Sequence, residues 1–141
     1  MPRRAIVIVA AVIAIAALAY LRDPPWLLTQ TSGLRGWEAD PDGRRLRWMG
    51  GHASFFVPSS ARVIEIPIRT AFSRPDDGPI AVSVSLDDRP VDRVVLTDNA
   101  WRRSVVRLPA PGSRRVRRID LRCDRTREDN RGAAVGEPTV R

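Results

Sequence analysis

Hydrophobic and polar positions change their rhythm once along this chain. Ala5 to Leu21 is a 17-residue run without a charged side chain. Beyond it no helical stripe appears, and short segments alternate with period two. In "PIAVSVSLD", Ile80, Val82, Val84 and Leu86 share one phase, while Ala81, Ser83 and Ser85 share the other. That is a strand with one face on a core and one in water. In "ARVIEIPIR", Ile64, Ile66 and Ile68 point inward, and Pro67 falls in the outward set, which suggests an edge or bulge. "IDLRC" places Ile119, Leu121 and Cys123 inward and Asp120 and Arg122 outward. "RRLRWMG", "SFFVP", "PVDRVVLT" and "WRRSVVRLP" predict weaker strands, and a last one is expected between Ala133 and Val140.

Turn residues separate these segments. Asp42-Gly43, Asp87 to Pro90 and Asp98-Asn99 predict tight connections, and "RPDDGP" a longer loop. Strands recurring every 8 to 15 residues predict an all-β, jelly-roll-like β-sandwich of about eight strands. The expected order is a cytoplasmic N-terminus over 1–4, a membrane helix over 5–21, a linker over 22–36 and the sandwich over 37–141.

The apolar run has two readings. As a span, 17 residues cover about 25 Å, near the lower limit for a bilayer core of about 30 Å. As a cleavable signal, "MPRR" is a basic leader and Ala17-Leu18-Ala19 a small-x-small cleavage pattern, which would free a secreted module. The run is longer than the usual signal core, so a retained anchor is favoured. Arg3 and Arg4 precede the run, and Asp23 offsets Arg22 after it. The positive-inside bias therefore leaves the N-terminus in the cytoplasm and places the 119-residue remainder outside the cytoplasmic membrane.

Charge alters this picture little. All 24 basic residues are Arg, and the formal charge is +8. Setting aside Arg3, Arg4 and Arg22, 21 arginines face 16 acidic residues, leaving +5 with the two signs interleaved. Such a surface is not the clustered stripe of a nucleic-acid site, so no nucleic-acid partner is expected. "RRVRRIDLRCDRTR" is the densest basic stretch; it suits an edge strand guarded by charge, or a face for anionic lipid or polymer.

No catalytic or metal-binding residue is assigned. His52 is the single histidine, no Gly-x-Ser-x-Gly elbow accompanies it, and a turn residue beside a strand is the favoured reading. His52 and the single Cys123 stand 71 positions apart, too few ligands for zinc. Cys123 is expected as a small buried hydrophobe. Asp76-Asp77 and Asp87-Asp88 are expected as turn residues rather than calcium ligands. Trp37, Trp48 and Trp101 are possible platforms for a sugar, with core packing favoured for each. The ligand-binding residues stay unassigned, no cofactor is expected, and an envelope hydrolase is the lesser alternative.

The strand order carries a resemblance. "GWEAD", "RRLRWMGGHASFFVP", "IAVSVSLDDRPVDRVVLTDNAWRRSVVRLP", "IDLRCDRT" and "GAAVGEPTV" are similar, over residues 36 to 141, to small bacterial envelope jelly-roll domains of galactose-binding-like type. Related domains accompany membrane glycosyltransferases. The shared features are a Trp-bearing opening strand, an Asp-x-x-Pro-Val hairpin and an Asp-x-x-Trp turn. Arg89 stands where Gly is usual, and Thr126-Arg127 where an aromatic-Pro pair is usual. No binding residue is carried over. The resemblance implies a non-enzymatic accessory module with an envelope glycan or a membrane protein as partner.

Overall fold

The computed structural model describes residues 3–72 and 74–141. It contains one α-helix, α1 (Arg3–Arg22), and nine strands: β1 (Thr31–Ala39), β2 (Arg45–Pro58), β3 (Val63–Thr70), β4 (Ile80–Leu86), β5 (Arg89–Leu96), β6 (Arg102–Arg107), β7 (Val116–Cys123), β8 (Ala133–Gly136) and β9 (Thr139–Val140). All strand pairs are antiparallel. The expected all-β sandwich preceded by one apolar helix is present. It is a curled, half-barrel version with nine strands.

The curl follows from β2. Its first half, Leu46 to Met49, pairs with β8, and its second half, His52 to Pro58, pairs with β7. One strand thus joins β7 to β8, and the hydrogen-bonded order runs β5-β4-β7-β2-β8-β3-β6 as one continuous curled sheet. The inward phase shifts between Leu46 and Met49, before the crossing, and then holds through Ala53, Phe55 and Val57. "RRLRWMG" and "SFFVP", expected as separate strands, are therefore the two arms of one bent strand with Gly50-Gly51 at the bend. β1 follows the outer side of β2 and bulges opposite this bend. Gly33 sits at the bulge with φ +68°, and a Cβ there would lie 2.0 Å from the His52 carbonyl oxygen. Only glycine satisfies both the backbone and the space.

The core matches the alternation. Ile64, Ile66, Ile68, Val82, Val84, Ile119 and Leu121 are fully buried. Each contributes about 1.5–3 kcal/mol by leaving water. On the side where β5 and β6 approach, the fully buried Ser104 donates its hydroxyl to Asp92 at 2.6 Å, so the polar group carries no desolvation penalty.

Several expectations change. Strand pairing begins at Thr31, inside the segment expected as linker, because Arg47 donates to the carbonyls of Leu34 and Arg35 and holds a strand that has no apolar alternation of its own. Only residues 23–30 connect α1 to the sheet, with a 3-10 turn over Pro25–Thr29. Asp98-Asn99 does not close a hairpin, since β5 and β6 share no backbone pairing and stand at opposite ends of the strand order. The C-terminal strand is split into β8 and β9, and both lie beside β3, opposite β6. Pro67 is consequently on an interior strand, facing the break between β8 and β9 rather than an edge. β7, the basic strand, is also interior, flanked by β2 and β4. Two of its arginines are neutralised in place: Arg117 by Asp87 at 2.8 Å, and Arg118 by Asp120 at 2.8 Å and by Asp88. The Asp42-Gly43 and Asp87-Asp88 turns do close hairpins. In the latter both residues have positive φ (47° and 67°), the arrangement that follows strand twist.

Candidate functional site

The β1–β2 hairpin is anchored by Asp40, whose carboxylate accepts the amides of Asp42 (3.1 Å) and Arg44 (2.8 Å). Burial pushes this carboxyl up, but those bonds, the Trp101 indole and nearby Arg69 outweigh it and hold it below its ordinary value. The hairpin therefore projects a fixed face. On that face Trp37 pairs across the strands with Arg47. The Arg45 and Arg47 guanidinium carbons lie 4.5 and 5.4 Å from the Trp37 ring centre. Arg47 is held by the carbonyls of Arg35 (2.6 Å) and Leu34 (3.1 Å) and by the Thr31 hydroxyl (3.0 Å). Its burial lowers its pKa, though an arginine stays charged at any physiological pH.

Beside Trp37 an open groove of about 260 Å³ runs between β1 and the β8–β9 break. Leu34, Phe55 and Val135 supply apolar surface, and Arg47 and Glu137 polar groups. Trp37 itself is 43 % exposed. Glu137 and Gly136 also line a second cavity, of about 280 Å³, with Arg44, Arg45, Arg103 and Trp101. Two tryptophans thus flank one stretch of chain, Gly136-Glu137. An indole beside charged hydrogen-bonding groups suits a ring with one apolar face and polar edges.

None of the three tryptophans packs in the core, contrary to expectation. Trp48 is half-buried beneath Arg131, with its indole donating to Glu38 at 3.2 Å. Trp101 lies under Arg44 and Arg69, at 5.3 and 4.9 Å. Each aromatic finds a guanidinium on the surface, while aliphatic side chains and Phe55 fill the interior. The pattern around Trp37 carried a usable signal: the strand "TSGLRGWEA" has little else apolar to bury.

His52 lies within β2 just past the bend, not in a turn, and its Nε2 is 3.1 Å from Asp120 Oδ1. Asp120, expected on the wet face, is on that face yet only 8 % exposed, because His52 and Arg118 cover it. Among the described residues no hydroxyl or thiol is hydrogen-bonded to His52, whose one side-chain partner is Asp120. Asp77 caps a 3-10 turn through the Arg74 amide at 2.9 Å, and Asp87 and Asp88 face Arg117 and Arg118. Cys123 is half-buried against the core, and burial raises its thiol pKa.

No protein-family model matches the chain, and no curated protein matches it by sequence. Its fold is similar to a family 35 carbohydrate-binding module from an environmental isolate, at 13% identity and a TM-score of 0.50, over 77% of this chain and 86% of that one. It is similar to an exo-β-1,3-galactanase from Phanerochaete chrysosporium at 14% identity and a TM-score of 0.50, over 79% of this chain and 27% of that one. A CBM51 module from Clostridium perfringens aligns over 81% of this chain and 94% of its own length, at 11% identity and a TM-score of 0.48. Against the enzyme-sized chains it matches, this chain spans 14% to 31% of their length. At such identities the likeness is one of fold: a jelly roll of the kind found in carbohydrate-binding modules.

Proposed function

We propose that this protein is a non-enzymatic glycan-binding module held at the outer side of the cytoplasmic membrane by α1. The observation that carries the reading is the groove beside Trp37, where a half-exposed indole stands over apolar walls between Arg47 and Glu137. The fold likeness supports the same ligand class. For anchoring, the 17 uncharged residues of α1 cover about 25 Å, near the lower limit for a bilayer core, with Arg3, Arg4 and Arg22 flanking them. Its apolar side chains lie exposed rather than packed against the sheet. The resemblance in strand order makes a membrane glycosyltransferase the neighbouring protein to look for.

The test is a glycan array probed with the full chain in nanodiscs, alongside Trp37→Ala. Saturable binding to a subset of glycans, weakened about tenfold or more in the variant, is expected from loss of the stacking surface. A folded protein that binds no glycan overturns the reading.

A further inference from the structure

The exit of α1 is docked, not loose. Its last residue is Arg22, and the next, Asp23, is already inside the domain, with 3 % of its surface exposed. The Asp23 carboxylate accepts Arg114 Nε at 2.6 Å and the Arg115 amide at 3.1 Å. The Arg115 carbonyl in turn accepts the Ser59 amide at 2.9 Å. Three bonds therefore tie the helix end, the β6–β7 loop and the β2–β3 turn to one point.

Between that loop and that turn lies a cavity of about 530 Å³. Ser60, Arg62 and Arg107 line it with polar groups, and Leu108, Pro109 and Pro111 with apolar ones. Among the described residues neither Arg62 nor Arg107 forms an ion pair with an acidic side chain. With α1 across the hydrocarbon layer, Arg22 and Asp23 stand at headgroup depth, and the tie through Arg115 and Ser59 brings the cavity beside that level. We infer that this cavity is a site for an anionic membrane phospholipid, with its phosphate between Arg62 and Arg107 and its glycerol region against Leu108, Pro109 and Pro111. The inference rests on α1 being a retained anchor. Two unneutralised guanidinium groups above an apolar wall match an anionic headgroup joined to an acyl chain.

Native mass spectrometry of the full chain released from nanodiscs of equal phosphatidylcholine and phosphatidylglycerol tests the site. About a fivefold excess of retained phosphatidylglycerol is expected, and it should disappear in Arg62→Ala/Arg107→Ala while persisting in Arg93→Ala, on a different strand. Equal retention of the two lipids, or a double variant that keeps the excess, overturns the lipid site alone. Displacement of the lipid by millimolar inorganic phosphate also overturns it, in favour of a free-anion site. A chain isolated from cells in soluble form and beginning at Tyr20 overturns the anchor reading beneath it.

Discussion

Two carboxylates show how single residues hold this domain. Asp23 is buried and takes two hydrogen bonds, from Arg114 and Arg115. Burial raises its pKa, and those bonds more than reverse the effect, leaving it below its ordinary value. Asp40 is depressed in the same way by its hairpin amides. A carboxyl with a lowered folded pKa adds stability above its unfolded value and loses it as the pH falls through the folded one. The melting temperature should therefore be level from neutral pH down to about 5 and fall below about 4. Asp40→Asn should melt lower at neutral pH and show a shallower acid decline, read by circular dichroism. Asp23→Ala should cost about 2 kcal/mol, since it leaves the Arg115 amide without its partner. Trp37 sets the opposite case, a residue whose loss should leave melting nearly unchanged and remove binding.

Among the elements, β1 and β2 decide the shape. Gly33→Ala should cost about 2–4 kcal/mol, because its left-handed backbone meets the His52 carbonyl. A thermal melt of the variant checks this, and loss of the Trp37 groove should accompany it. How legible these elements were depended on how local their cause is. The phases of β3 and β4 follow from isoleucine and valine alternation alone, so Ile64, Ile66, Ile68, Val82 and Val84 were placed inward from sequence. β1 has no such alternation and is held by the side chain of Arg47, 12 or more residues away, which no local pattern reveals. The interior place of β7 was hidden for a related reason. Its arginines resemble edge protection until Asp87, Asp88 and Asp120 are brought beside them by folding. The tryptophans were misplaced because residue type alone does not separate a core ring from a ring under a guanidinium.

At the scale of the whole molecule, the chain leaving α1 reaches the Trp37 groove through Leu28, while the Arg62–Arg107 cavity has a separate lining. Asp23 and the β6–β7 loop fix the chain where it leaves α1, so the domain is oriented with respect to its helix rather than swinging on a long linker. The groove has walls in the β1–β2 hairpin and the β8–β9 break, takes Leu28 from the turn that follows α1, and makes no use of Arg62 or Arg107. Under the proposed function, Arg62→Ala/Arg107→Ala should leave binding at the Trp37 groove intact. The central claim is that the Trp37 groove receives a sugar. Saturation-transfer difference NMR on the full chain in nanodiscs, with solubilised envelope polysaccharide fragments, tests it most directly. The account predicts transfer to sugar-ring protons that is lost in a folded Trp37→Ala variant. Transfer that is absent in the wild type, or equal in the variant, would contradict it.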